Sequence, residues 1–136
     1  MGGIVVDTGP LIALFDGSDR HHADALAFVK RVKGRLITNL AVVTETSVML
    51  GPSVDPQTAF LGWAARALEI DNRTAGDLAR IVEVMTKYRD LRADFADASL
   101  IALCERLGTE RIATLDSDFE VYRTVKRQRL RNVFFG

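Results

Sequence analysis

The chain has 136 residues, 48% of them hydrophobic and 26% charged, and its 18 basic and 18 acidic residues cancel. That length suits one domain with its own core, taken here as 1–136, and zero net charge excludes a global field for nucleic acid, leaving only local patches. One cysteine excludes an internal disulfide and fits a reducing compartment.

The start, Met1-Gly2-Gly3-Ile4, has no basic region before its apolar run and so does not read as a secretory signal. Position 6 is Val, not the Ser or Thr of a myristoylation pattern. No apolar stretch nears the roughly 20 residues that span a bilayer, so a cytoplasmic protein without a membrane segment is expected. Ile4-Val5-Val6 predicts a buried strand, followed at Asp7-Thr8-Gly9-Pro10 by a helix with Pro10 in its first turn. After the turn Asp16-Gly17-Ser18-Asp19, a second helix is expected from Arg20 to Val32, ended by Gly34. Leu36-Ile37-Thr38 reads as a strand, and Asn39 as the cap of a helix through Leu50 that Gly51-Pro52 stops.

Pro56 opens a helix to Ala67, and Leu68-Glu69-Ile70 predicts a brief strand. Thr74 to Tyr88 reads as a helix with Ala75, Leu78, Ala79, Val82 and Met85 on one stripe. Asp94 to Leu107 is a further helix, closed by Gly108. Arg111 to Leu115 reads as a strand, and Val121 to Val125 with Val133 to Phe135 as a closing hairpin. Strands alternating with helices imply an α/β sandwich around a mainly parallel sheet, whose ligands gather beyond the carboxyl ends of the strands.

Four acids interrupt apolar surroundings. Asp7 ends the first strand, Glu45 has Ala41, Val42, Val48 and Met49 as helical neighbours, Asp97 shares a face with Leu100 and Ile101, and Asp116 follows Ile112 to Leu115. Each has a bland reading as a cap, a turn or the edge of a helix face, and Asp94 is well placed to cap its own helix. Together they imply a desolvated carboxylate cluster that repels itself unless a cation holds it. Oxygen ligands without clustered His or Cys favour Mg²⁺ or Mn²⁺, and such an ion suits phosphate-ester chemistry.

Adjacent His21 and His22 point about 100° apart on a helix and make a poor metal pair. Cys104 reads as a small buried hydrophobe, and Trp63, with Phe60 and Leu61, as either core or a dimer surface. Basic residues cluster at Lys30–Arg35 and again at Arg123, Lys126, Arg127, Arg129 and Arg131. Such runs are either solvated loops or phosphate contacts that position RNA.

The segments Ile4-Val5-Val6-Asp7-Thr8, Val42-Val43-Thr44-Glu45, Asp94-Phe95-Ala96-Asp97-Ala98-Ser99-Leu100-Ile101-Ala102 and Ala113-Thr114-Leu115-Asp116-Ser117-Asp118-Phe119 resemble PIN-domain nucleases, most of all the VapC toxins of bacterial type II toxin–antitoxin pairs. The resemblance covers essentially the whole chain and implies a three-layer α/β/α fold and a metal-dependent endoribonuclease. It implies that Asp7, Glu45, Asp97 and Asp116 are the acidic quartet holding one or two Mg²⁺ or Mn²⁺ ions. Asp94 and Asp118 are then auxiliary acids, with Thr8 and Thr114 as supporting hydroxyls. Arg123, Lys126, Arg127 and Arg129 become candidates for RNA contact. A homodimer, a VapB-like antitoxin and products with 5′-phosphate and 3′-hydroxyl ends are further implications. The alternatives are a PIN-like module that binds RNA or protein without cutting, a DNA-directed nuclease and a haloacid-dehalogenase-like phosphatase. The last expects a second Asp where this chain has Gly9.

Overall fold

The computed structural model describes residues 3–136; Met1 and Gly2, on which the expectation about the chain's start partly rests, lie outside the described residues. At its centre is β1 (Ile4–Val6), buried at every position. An unbroken apolar run is what a strand covered on both faces requires. It pairs with β2 (Leu36–Asn39) on one side, Ile4 opposite Leu36, and with β4 (Arg111–Ala113) on the other, Val5 opposite Ile112. β3 (Glu69–Asp71) adds outside β2 and β5 (Arg131–Asn132) outside β4, giving the order β3-β2-β1-β4-β5 with every pairing parallel.

Parallel neighbours need crossovers, and right-handed crossovers from this order place α1 to α4 on one face and α5 and α6 on the other. The helices are α1 (Thr8–Phe15), α2 (His22–Arg31), α3 (Leu40–Met49), α4 (Val54–Ala67), α5 (Leu78–Lys87) and α6 (Phe95–Leu107). α1 packs on α2, α3 and α4, while α5 packs on α6. The result is the expected three-layer α/β/α sandwich with a parallel sheet. α6 is buried from Ala98 to Cys104, as a helix apolar nearly all round must be. Cys104 is fully buried there, and the sandwiching makes Phe60 core while Trp63 is half-buried against Phe15.

Two expected elements differ. Thr74 to Tyr88 is not one helix: a 3₁₀ turn, Thr74–Asp77, precedes α5. The turn rephases the helix, so Ile81 and Val84 face the core while Leu78 and Val82 of the expected stripe are 50% and 63% exposed. Both stripes are apolar, and periodicity alone does not say which one meets the sheet. The closing hairpin is absent as well. β4 ends at the carboxyl edge of the sheet, and the chain must travel back to the amino edge before β5 can pair in parallel. The segment from Val121 to Val125 belongs to that return, held by a lone antiparallel bridge between Arg123 and Arg129. Phe134 beyond β5 is buried against Phe28 instead of pairing in a strand.

One ion network ties the sheet edge to the second helical layer. The Arg106 guanidinium in the last turn of α6 donates to both oxygens of Asp71 (2.9 and 2.7 Å) and to both of Asp77 (3.2 and 2.8 Å). This planar fork fixes the end of β3 against α6.

Candidate active site

Asp7 is the first residue past β1, and it caps α1 through a Thr8 N–H donated to Oδ1 at 2.8 Å. Its other oxygen accepts from the Thr114 hydroxyl at 2.7 Å. The capping reading of Asp7 is therefore true, and the same carboxylate also joins α1 to the end of β4 through Thr114. The residue is only 6% exposed, and burial, with the charges of Asp116 and Glu45, pushes its pKa up to about 6 despite those two hydrogen bonds.

Thr114, past the end of β4, joins two acids. Its hydroxyl donates to Asp7 and accepts from the Asp116 N–H at 2.9 Å. Asn132 of β5 fixes Thr114 from the other side, its amide donating to the Thr114 carbonyl (3.0 Å) and its oxygen accepting from the Thr114 N–H (3.2 Å). Asp116 then turns the chain by accepting from the Asp118 N–H at 2.9 Å, opening the 3₁₀ turn Ser117–Glu120. The expected turn-forming role of Asp116 is thus met, and its charge also reaches Asp7 and Asp97.

Asp94 and Asp97 form a capping box at the start of α6. Asp94 accepts from the Asp97 N–H at 2.9 Å and the Asp97 carboxylate accepts from the Asp94 N–H at 3.3 Å. Burial first, then the charges of Asp94, Asp7 and Asp116, raise the Asp97 pKa to about 8. A cap alone would not feel Asp7 and Asp116, which lie far away in sequence. α6 is itself anchored, since the buried Asn39 at the end of β2 caps α3 and donates to the Ser99 hydroxyl at 2.9 Å.

Glu45 is half-buried on α3, at the boundary between buried Val42 and exposed Val48 and Met49, and its charge reaches Asp7. It lines an open cleft of about 740 Å³ that also holds Leu40, Val48, Met49, Asp94 and Phe95. Thr8 is buried beside Asp7 with its hydroxyl unpaired among the described residues, and Asp118 sits half-buried two residues after Asp116.

Among the described residues no three His, Cys, Asp or Glu side chains are gathered tightly enough to chelate an ion by themselves. Mg²⁺ does not need that, because it keeps several waters and binds through one or two carboxylates plus substrate oxygens. The donor set present, a buried carboxylate beside other acids and an unpaired Thr8 hydroxyl, fits a hydrated hard cation.

The basic residues are dispersed. Arg35 pairs with Glu69 at the amino edge of the sheet, away from the acids. Arg123 directs its guanidinium to the carbonyls of Glu120, Val121 and Tyr122. Lys126 and Arg127 are exposed on a loop whose Val125 N–H meets Glu105, about 12 Å along α6 from Asp97 at 1.5 Å per residue. Arg129 shares a cleft with Thr114 and Asp116. His21 and His22 are half-buried with separate partners, Asp24 and the Ala13 carbonyl, so they form no joint metal pair. The sequence pattern alone did not mark Asn132 or Ser99 as supports of the site: Asn132 lies beyond a long return loop, and Ser99 looks like any small helix residue.

A family model described as PIN domain matches residues 4–125. The chain belongs to the PIN-domain family. Within that family it is VapC-like: Ribonuclease VapC26 of Mycobacterium tuberculosis is 31% identical over 116 residues, which cover 83% of this chain and 86% of that protein. The crystal structure of VapC20, a sarcin–ricin loop cleaving toxin of the same organism, shares the fold with a TM-score of 0.79. That match has 23% identity and covers 93% of this chain and 98% of the other. Membership in the PIN family removes the haloacid-dehalogenase-like alternative.

Proposed function

We propose that this protein is a divalent-metal-dependent endoribonuclease toxin of the VapC type, acting in the cytoplasm and silenced by a VapB-like antitoxin. The observation that carries the reading is the mutual influence of acids from separate segments. Asp7 feels Asp116 and Glu45, and Asp97 feels Asp7 and Asp116. Asp7, Asp97, Asp116 and Glu45 would hold one or two Mg²⁺ or Mn²⁺ ions, directly or through water, with Asp94 and Asp118 as auxiliary acids. Such an ion, when bound, neutralises charge developing on phosphate oxygens and makes water a competent nucleophile near neutral pH.

The chain's own residues supply the frame. Thr114 holds the Asp7 carboxylate and the Asp116 backbone in one unit. Asp94 and Asp97 hold the mouth of α6 facing them. Zero net charge leaves RNA attraction to local residues, with Arg129 the best placed of the four candidates, Arg123, Lys126, Arg127 and Arg129, through its cleft with Asp116. The apolar cleft of Leu40, Val48, Met49 and Phe95, bordered by Glu45 and Asp94, supports an antitoxin segment lying against the acids. A homodimer completes the assembly proposed.

The test is cleavage of a mixed RNA pool by parent and Asp97→Asn protein in Mg²⁺, Mn²⁺ and chelator, with the new ends mapped. Metal-dependent products with 5′-phosphate and 3′-hydroxyl ends, lost in the variant, are expected. RNA binding that persists in chelator, with no products on adding Mn²⁺, would instead establish a non-catalytic module.

A further inference from the structure

Tyr122 is a buried polar group that the reaction as derived above leaves unused. Its side chain is fully buried, yet its hydroxyl has no hydrogen-bond partner among the described residues. Leaving a buried hydroxyl unpaired costs about 1–3 kcal/mol, so its retention calls for an explanation other than packing. Phenylalanine would pack equally well.

The ring's position is built from both sides. Phe119, in the turn that Asp116 opens, meets it edge-on at 4.9 Å, and Tyr88, at the end of α5, meets it at 5.0 Å. The Tyr122 N–H donates to the Asp118 carbonyl at 3.2 Å. The next residue, Arg123, donates its N–H to the Tyr88 hydroxyl at 2.9 Å. The phenol is thus wedged between the segment carrying Asp116 and Asp118 and the segment leading into Asp94 and Asp97. Burial, then the charges of Asp97, Asp116, Asp118 and Asp94, hold its pKa above the usual phenol range. At neutral pH the hydroxyl keeps its proton and is available to donate, within the electrostatic reach of Asp97, Asp116, Asp118 and Asp94.

We propose that Tyr122 is a positioning residue of this site: its phenolic O–H donates into the carboxylate cluster, through a water or a small movement of Asp97 or Asp118, and sets the orientation in which those acids hold a divalent cation. This rests on the nuclease reading given above. The geometry that carries it is a rigidly clamped ring, a hydroxyl with no protein acceptor, and acids on both flanks. A purely structural tyrosine would have its hydroxyl bonded within the protein, as Tyr88 has.

The test compares the full chain with its Tyr122→Phe variant by Mn²⁺ titration calorimetry without RNA, by melting in chelator and by cleavage kinetics. The variant is expected to bind Mn²⁺ about 10-fold or more weakly, the loss typical of a removed outer hydrogen bond to metal ligands. Its melting temperature in chelator should equal or exceed the parent's. Its kcat should fall at limiting Mn²⁺ and recover at saturating Mn²⁺, with KM for RNA unchanged. Mn²⁺ affinity within twofold of the parent, or a lower melting temperature as the sole change, overturns the inference. A parent that takes up no Mn²⁺ overturns the nuclease reading instead, and this inference with it.

Discussion

Thr114 shows how much one hydroxyl can organise. It donates to the buried Asp7 carboxylate and accepts from the Asp116 backbone, so two strand ends share one atom. Thr114→Val keeps the shape but leaves the Asp7 Oδ2 and the Asp116 N–H without this partner, and about 2 kcal/mol of stability should be lost in urea denaturation. Thr114→Ser should recover most of it; equal losses in the two variants would show that packing, not the hydroxyl, matters. Asp97 behaves in the opposite sense. Asp7 and Asp97 keep their protons to about pH 6 and 8 in the folded chain, well above their ordinary values. The folded state therefore binds more protons than the unfolded one from about pH 4 upward, and their contribution to stability, complete below that, declines as pH rises. Without metal, Asp97→Asn should be at least as stable as the parent, with an advantage that grows from pH 4 to 8. A constant difference across that range would show that Asp97 ionises normally.

α6 begins with a device that serves folding and chemistry at once. Its capping box ties Asp94 to Asp97 through two backbone N–H groups, and the same pairing sets like charges side by side. Asp94→Ala removes cap and charge together, whereas Asp94→Asn removes only the charge. The asparagine variant should therefore be the more stable, by about 1 kcal/mol, the usual worth of a cap. Thermal melts in chelator measure this directly, and equal stability would mean that the box is not formed in solution. Asn39 makes a comparable double contribution at α3, capping it while anchoring Ser99 of α6. The start of α3 and the first turns of α6 thus both lean on the end of β2.

Over the molecule as a whole, the parallel order β3-β2-β1-β4-β5 brings the ends of β1 and β4 together beside the mouth of α6. The Arg106 fork to Asp71 and Asp77 fastens the outer strand to that helix. Arg106→Ala would strip the largely buried Asp77 carboxylate of its guanidinium and leave Asp71 with only its Arg73 contacts. A loss on the order of 2 kcal/mol is expected, below the full value for a buried pair because Arg106 is partly exposed. Asp71 also lines the apolar cleft, so amide exchange around Asn72 and Thr74 should quicken in the same variant. Unchanged exchange there would make the network a local pair only.

The chain by itself determined what short-range chemistry can determine. Asn39, Asp94 and Gly108 mark helix ends by groups that satisfy nearby N–H and C=O atoms, and Ile4-Val5-Val6 declares a strand buried on both faces. The four acids stood out because carboxylates beside apolar neighbours are costly wherever the chain goes. Strand order, the face α5 turns inward and the parallel docking of β5 came only from the tertiary structure, because two apolar stripes or two apolar runs look alike until a sheet chooses between them. The same holds for the wedge that seats Tyr122 between Phe119 and Tyr88. Its neighbours are assembled by contacts between segments distant along the chain, and no local spacing encodes them.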